Sequence, residues 1–192
     1  MVLPTVVEWS HWIISRVLRP GDVAFDATVG HGHDLVMMAT LVGQQGLVLG
    51  CDIQEHAIES AWQNAEMRGV SDRVRLHVES HEHIERICHG ENVKQLRAIM
   101  YNLGYLPGGD KSIRTRREST IASLGKALDL LMAGGAMTIV SYRGHEGGAE
   151  EAVAVLDWAS ALPPYQFEVV MYSTPALESS PIGIAIGRRL IR

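Results

Sequence analysis

The chain has 192 residues, of which 46% are hydrophobic and 20% are charged, and its formal net charge at neutral pH is −5. This length predicts one domain over residues 1–192, and we expect neither a membrane span nor a secretory leader, because no apolar run approaches bilayer length and residues 1–20 lack a leader pattern. The acidic balance argues against a broad nucleic-acid coat but is compatible with a local basic patch.

A helix is predicted near the start of the chain, over residues 5–18. Its apolar residues recur at helical spacing, and Pro20 and Gly21 follow as a stop signal. We expect this N-terminal helix, within residues 1–20, to pack beside the first strand, a short apolar run at residues 23–25. The segment after that strand, residues 26–34 (DATVGHGHD), leads into a second apolar helix.

That strand-to-helix segment has the composition of a nucleotide-binding loop. Gly30 and Gly32 lack Cβ atoms, so a ligand can approach the backbone closely, and the following helix N-terminus offers free N–H groups. Asp52, which ends the next apolar run, suits the paired hydroxyls of a ribose. The two glycines are compatible with either a dinucleotide cofactor or a methyl donor. A dinucleotide-binding fingerprint would have glycine where this chain has Thr28 and Leu35, which favours the methyl donor.

Strand and helix patterns alternate along the rest of the chain. This alternation predicts an α/β fold with a parallel sheet covered on both faces, and two final strands without a helix between them predict an antiparallel finish. The predicted elements are a helix at 54–67, a strand at 74–78, a short helix to 88, a strand at 96–101, a helix at 118–131 stopped by Gly134 and Gly135, a strand at 136–140, a helix at 149–161, and strands at 167–172 and 182–186.

The exit of the fourth strand, residues 102–105 (NLGY), has the form of the Asn-Pro-Pro-Tyr motif of S-adenosylmethionine-dependent enzymes that methylate amines. The Asn102 oxygen can accept a hydrogen bond from a target amine and so aim its lone pair, and the Tyr105 ring can stack on a planar substrate. The alternative is a simple turn, which Asn and Gly also favour. The position at a strand's carboxyl end favours the functional reading.

A basic segment, residues 111–117 (KSIRTRR), follows directly. Lys111, Arg114 and Arg116 could hold phosphates around an extruded nucleotide, whereas the alternative is a solvated helix start. Cations at a helix N-terminus oppose the helix dipole, which favours a ligand role. Arg143 and His145, in the loop after the fifth strand, are further substrate candidates, although His145 could instead pin that loop by hydrogen bonding.

Five segments together resemble one family: residues 26–34, 52–54, 80–82, 102–111 and 142–148. The chain is similar along nearly its whole length to small class I methyltransferases labelled "putative rRNA methylases", some of which are associated with modification of the tRNA wobble uridine. The resemblance implies a Rossmann-like fold with a mainly parallel seven-stranded sheet, an antiparallel C-terminal strand, and S-adenosylmethionine as donor. It also implies methylation of the primary amine of 5-aminomethyl-(2-thio)uridine at position 34, in the tRNA anticodon stem-loop.

The resemblance and the motifs together give the candidate site residues. Two positions depart from the family pattern, since His31 replaces an expected Asn and Leu35 an expected Thr, and the role of the His31 side chain stays open. The catalytic candidates are Asn102, Tyr105 and His81, and the cofactor candidates are Asp26, Thr28, Gly30, His31, Gly32, Asp34, Asp52, Gln54, Ser80, His81 and Asn102.

The proton acceptor is undecided at this point. An alkylamine is normally protonated, by analogy with Lys at a pKa of about 10.4, and it must lose a proton before it can attack. His81, Asp34 and His145 are all candidates for that proton. His81 and His83 form a His-x-His pair, but no cluster completes a coordination set, so we expect no metal.

Several alternatives stay open from the sequence. The acceptor could be a ribosomal RNA base or a small amine, and the glycine turn alone would also fit a nicotinamide-dependent oxidoreductase or a non-catalytic RNA-binding protein. Cys51 and Cys88 lie in no paired motif, which predicts a reduced, cytoplasmic setting. The oligomeric state is undetermined, a homodimer included.

Overall fold

The computed structural model describes residues 2–110, 112–174 and 180–190, and helices and strands alternate along them. Short 3₁₀ turns at Ser71–Arg73 and His81–His83 precede β3 and α4. The helices are α1 (Val6–Val17), α2 (His33–Val42), α3 (Glu55–Met67), α4 (Ile84–Gly90), α5 (Arg117–Leu130) and α6 (Gly148–Ser160). The strands are β1 (Val23–Asp26), β2 (Leu47–Asp52), β3 (Val74–Val78), β4 (Leu96–Leu103), β5 (Leu131–Ser141), β6 (Phe167–Ser173) and β7 (Ile182–Arg188).

The seven strands form one sheet in the order β3-β2-β1-β4-β5-β7-β6. The strands from β3 to β5 in that order are parallel, and β7 runs antiparallel to both β5 and β6. The chain order reverses between β1 and β4, which is the switch point where open α/β sheets bind ligands. The predicted fold class, including the antiparallel finish, is confirmed.

Helices cover both faces of the sheet, and β4 shows why its sequence reads as a continuous apolar run. Ile99 and Tyr101 point into the core shared with α4, α5 and α6, whereas Ala98 and Met100 point into the core shared with α1, α2 and α3. All four side chains are buried. A strand buried on both faces has no polar positions to alternate with, as parallel sheets require.

The N-terminal helix α1 packs on the sheet, but mainly against β5 and β7 rather than beside the first strand as predicted. The absence of a side chain at Gly183 of β7 allows this, because a Cβ there would lie 2.7 Å from Val6 Cγ1. It begins with a capping box, in which Thr5 and Glu8 exchange side-chain and backbone hydrogen bonds. Within the described residues, no helix is long and apolar enough to cross a membrane.

One predicted boundary is wrong. The helix α5 ends at Leu130 and β5 begins at Leu131, so Gly134 and Gly135 lie inside a strand rather than stopping a helix. The pairing of β4 with β5 shifts register at this point, and Gly134 has a φ of 76°. A Cβ at position 135 would lie 2.8 Å from the Arg97 carbonyl oxygen. The glycines therefore mark a bulge with close backbone approach.

Candidate active site

A cleft of about 1530 Å³ opens at the carboxyl edge of the parallel strands. Its wall includes the turn after β1, the ends of β2 and β4, residues 104–108 and 112–116, and residues after β5. Ordinary small-molecule sites occupy about 300–1,000 Å³. The cleft therefore has room for a nucleoside-sized cofactor and a second ligand beside it.

The turn after β1 is held by its glycines in two different ways. Gly30 has a φ of 51°, lines the cleft, and donates its N–H to Asp52 Oδ2 at 3.0 Å. Gly32 has a φ of 79°, and a Cβ there would lie 2.8 Å from the Ala61 Cα atom of α3. Gly32 is thus required for close packing of the turn on α3, and it lies behind the cleft wall rather than on it.

Asp26 also lies behind the wall. It is fully buried and its Oδ1 accepts the Thr28 N–H at 3.2 Å, which fixes the start of the turn. Burial and the neighbouring charges of Asp34 and Asp52 raise the pKa of the Asp26 carboxyl well above its ordinary value. The structure gives Asp26 a role in shaping the turn and no direct access to the cleft.

Asp52 and Gln54 lie side by side on the wall at the end of β2. The Gln54 backbone N–H donates to Asp52 Oδ1 at 3.0 Å, so both carboxylate oxygens are held by backbone donors and keep further lone pairs for a ligand. The Gln54 side chain is buried, and its Oε1 has no hydrogen-bond partner among the described residues. A polar atom left in this state fits a site that a ribose or base completes.

The third strand leads to Ser80 and His81, which both line the cleft. Ser80 accepts the Glu82 N–H at its side chain and so caps the turn that precedes α4. The His81 ring packs edge-on against Tyr101, and its Nε2 has no partner in the described part of the chain. Burial lowers the pKa of His81 to about 4. An imidazole with so low a pKa is a weak base at neutral pH, which favours a role for His81 in ligand contact over one in proton removal.

Asn102 occupies the end of β4, on the cleft wall, and is held by two neighbours. Its backbone N–H donates to Thr28 Oγ1 at 2.7 Å, and its Nδ2 donates to Asp34 Oδ2 at 2.6 Å. Because the amide nitrogen is taken by a carboxylate, the amide oxygen is the group that remains for a ligand. This is the acceptor that the sequence motif requires.

Sequence reasoning missed the residue on the other side of Asp34. His11, on α1, lines the cleft and lies with its Nε2 2.6 Å from Asp34 Oδ1. Tyr142, at the end of β5, also lines the cleft, and burial together with the charge of Asp34 raises its pKa. The pattern of α1 carries only an apolar period, and nothing in it distinguishes His11 from a solvated polar residue.

His31 joins three parts of the site. Its Nδ1 lies 3.2 Å from Ser60 Oγ on α3, and its Nε2 lies 3.1 Å from the Pro107 carbonyl oxygen. Its own carbonyl oxygen accepts from Asn64 Nδ2 at 3.2 Å. The side chain therefore ties the loop after β4 to the turn after β1, which gives a physical role to the departure from the family pattern.

The described parts of the loop after β4, residues 104–110 and 112–116, fold back on each other beside the cleft. Tyr105 pairs with Arg114 in an isolated antiparallel bridge, and its ring meets the His145 ring edge-on at a centroid distance of 5.9 Å. The Arg114 guanidinium forms an ion pair with Glu146, at 2.9 Å between Nη2 and Oε2. Arg116 is exposed at the cleft, directly before α5.

Of the remaining substrate candidates, His145 lines the cleft and Arg143 does not. The Nδ1 atom of His145 lies 3.1 Å from the Glu146 carbonyl oxygen, which is a loop hydrogen bond of the kind that the alternative predicted. Arg143 lies off the cleft wall, and its Nε donates to the Ser180 carbonyl oxygen at 2.8 Å. Lys111 lies outside the described residues. In the described ranges, no group of three or more His, Cys, Asp or Glu side chains could hold a metal ion.

Comparison with known proteins gives consistent matches over most of the chain. The model of the family described as "Putative rRNA methylase" matches residues 48–186. A relative named tRNA (mnm(5)s(2)U34)-methyltransferase, chloroplastic, from Arabidopsis thaliana is 36% identical over 167 aligned residues, and the match covers 81% of this chain and 59% of that protein. The chain thus spans less than two thirds of the length of this relative.

Solved structures match almost end to end. A putative rRNA-methylase from Clostridium thermocellum is 35% identical, with a TM-score of 0.92 over 98% of this chain and 100% of that one. A putative methyltransferase from Streptococcus mutans, solved in complex with SAH, is 28% identical, with a TM-score of 0.86 over 97% of this chain and 99% of that one.

Proposed function

The chain belongs to the "Putative rRNA methylase" family, and on that premise we propose that it transfers a methyl group from S-adenosylmethionine to an amine of tRNA. The acceptor we propose is the primary amine of 5-aminomethyl-(2-thio)uridine at position 34, and the product is 5-methylaminomethyl-(2-thio)uridine. The observation that carries the proposal is the Asn102 amide, which is held at the cleft wall with its nitrogen bound by Asp34 and its oxygen left for a ligand.

The residues at the carboxyl ends of β1, β2 and β3 fit the cofactor. Asp52 keeps lone pairs for ribose hydroxyls, and Gln54 Oε1 and His81 Nε2 are polar atoms without partners among the described residues. The relative from Streptococcus mutans was solved with SAH, which supports a methyl donor over a nicotinamide cofactor. When bound, S-adenosylmethionine supplies an electrophilic methyl group on its sulfonium.

Asn102 and Tyr105 are then the residues that position the acceptor. The Asn102 oxygen accepts a hydrogen bond from the amine and directs its lone pair, and the Tyr105 ring beside the cleft offers a face for the uracil. Positioning of this kind can contribute about 7–11 kcal/mol to catalysis in favourable cases. The cleft volume of about 1530 Å³ is large enough for an extruded nucleotide beside the cofactor.

The proposal is tested by reacting the purified chain with S-adenosylmethionine and tRNA that carries 5-aminomethyl-2-thiouridine, followed by nucleoside mass spectrometry. We expect conversion to the methylaminomethyl nucleoside, and we expect Asn102→Ala to lower kcat by about 10²-fold or more. Calorimetry should detect binding of S-adenosylhomocysteine and none of NAD. Methylation of ribosomal RNA with no change at position 34 would overturn the substrate assignment.

We also propose that the protein acts in the cytoplasm and leave a homodimer as the assembly to be tested by sedimentation. Both cysteines are free and buried, which fits a reducing compartment. The plant relative is named as chloroplastic, so location differs among members if this assignment holds.

A further inference from the structure

The N-terminal helix contributes a residue to the centre of the site, although it precedes the region matched by the family model. His11 lines the cleft together with Val7, its neighbour on the same face of α1. The side of α1 that faces the sheet packs mostly through apolar side chains, and Trp9 stacks on Tyr172 of β6. A polar side chain directed into the cleft from this helix therefore calls for a functional reason.

His11 completes a continuous chain of contacts that ends at Asn102, the residue proposed to contact the amine. Its Nε2 lies 2.6 Å from Asp34 Oδ1, and Asp34 Oδ2 accepts from Asn102 Nδ2 at 2.6 Å. The two carboxylate oxygens thus each hold one partner. The Asp34 side chain is only 10% exposed, so solvent is a poor replacement for either partner.

We propose that His11 is a positioning residue for methyl transfer, which acts on Asn102 through Asp34. By holding one oxygen of Asp34, it presents the other to the Asn102 amide nitrogen and so keeps the amide oxygen toward the amine. The inference rests on the proposed function, because it needs an acceptor that Asn102 contacts.

The electrostatics of the pair support this arrangement. The hydrogen bond to Asp34, opposed by partial burial, raises the pKa of His11 above its ordinary value, so the donor form of the ring is favoured. A charge-assisted hydrogen bond is roughly twice as strong as a neutral one. Without it, Asp34 can rotate and the Asn102 amide is no longer restricted to one of its two orientations.

The test compares His11→Leu and His11→Gln with the control Trp12→Ala. Leucine removes the donor, glutamine keeps an uncharged donor at a similar reach, and Trp12 is the next residue of the same helix with a 59% exposed side chain. For each variant we would measure kcat and KM on the modified tRNA, the Kd of S-adenosylhomocysteine, and the Tm.

We expect His11→Leu to lower kcat by about 10²-fold, with KM and Kd changed by less than about threefold, and His11→Gln to recover most of the loss. Trp12→Ala should retain wild-type kcat. Unchanged kcat in His11→Leu, or a loss that follows Tm or Kd and is not recovered by glutamine, would overturn the inference. If the wild-type chain does not methylate the tRNA, the proposed function fails and this inference with it; if it does, only the variants decide.

Discussion

His31 shows how one side chain can couple two loops of the site. Its ring contacts Ser60 on one side and the Pro107 carbonyl oxygen on the other. Asparagine, which the family pattern expects here, is shorter and cannot span both partners. In this chain the position of the loop after β4 therefore depends on a contact between His31 and Pro107 that the sequence motif does not predict.

We expect His31→Asn to loosen the loop of residues 104–110 and to weaken binding of S-adenosylhomocysteine about fivefold, since one net hydrogen bond contributes about 1 kcal/mol. Amide hydrogen exchange over the loop and calorimetry measure the two effects. His89→Asn, an exposed substitution at the end of α4, is the matched control. Unchanged exchange in residues 104–110 of the His31 variant would show that the bridge to Pro107 does not restrain the loop.

The pair of His11 and Asp34 also predicts how stability depends on pH. The pKa of His11 is raised in the folded state, chiefly by the hydrogen bond to Asp34. The folded chain therefore binds this proton more tightly than the unfolded chain, and the stabilisation is complete below the ordinary pKa of 6.5 and is lost as pH rises through the folded-state value.

We expect His11→Gln to lose up to about 1 kcal/mol of unfolding free energy near pH 5.5, and less near pH 9, because His11 is partly exposed and solvent screens the pair. Urea unfolding at both pH values measures the difference. An equal loss at the two values would contradict a contribution from the charged ring.

At the residue scale, the sequence predicts the site best for residues that directly follow a strand and line the cleft. Asp52, Gln54 and Asn102 follow apolar runs that end at one edge of the sheet, and all three line the cleft. Asp26 and Gly32 belong to the glycine-rich turn after β1, but they shape that turn rather than line the cleft. The sequence does not show this, because burial of Asp26 and close packing of Gly32 on α3 are tertiary properties. His11 was missed for the same reason, since its contact with Asp34 joins segments distant in sequence.

At the scale of elements, the order and type of the α-helices and strands in the described ranges could be predicted, since most of them are long enough for their apolar period to show. The exception is the junction of α5 and β5, where two glycines are as typical of a helix stop as of a bulge. The register shift between β4 and β5 and the Arg97 carbonyl oxygen, on the strand next to Gly135, distinguish the two.

Two glycine substitutions test this account of the junction. A Cβ at position 135 would lie 2.8 Å from a backbone oxygen, so Gly135→Ala should destabilise the fold by about 1–3 kcal/mol through overpacking. A Cβ at position 125, inside α5, meets no atom within 4 Å, so Gly125→Ala should stabilise it by about 0.5–1 kcal/mol. Chemical unfolding gives both values, and a neutral Gly135→Ala would show that the bulge can relax.

At the scale of the whole molecule, the balance of charge and its distribution point in different directions. The net charge of −5 opposes approach of a polyanion, whereas exposed Arg116 stands at the cleft. Arg114 forms an ion pair with Glu146, so part of its charge is already neutralised. If tRNA binds at the cleft, local charge must outweigh the net charge over the short range that salt leaves unscreened.

Charge reversal at neighbouring positions separates these two effects. Arg116→Glu and Arg117→Glu alter the net charge equally, but Arg116 lines the active-site cleft, whereas Arg117 lines a separate shallow surface beside α6. We expect Arg116→Glu, alone or with Arg114→Glu, to weaken tRNA binding and to reduce the slope of log K against log salt by about 1 for each phosphate that the variant no longer neutralises. Binding of S-adenosylhomocysteine should not change.

Arg117→Glu should retain most of the tRNA affinity and the wild-type salt slope, because the global charge alone changes. Filter binding or fluorescence anisotropy across a salt series measures both quantities for each variant. Equal weakening by Arg116→Glu and Arg117→Glu would mean that net charge governs binding. It would contradict the prediction that Arg116 at the cleft contacts the phosphates around the target nucleotide. A larger effect at Arg116 fixes the direction from which the nucleotide enters, past the start of α5 and toward Asn102.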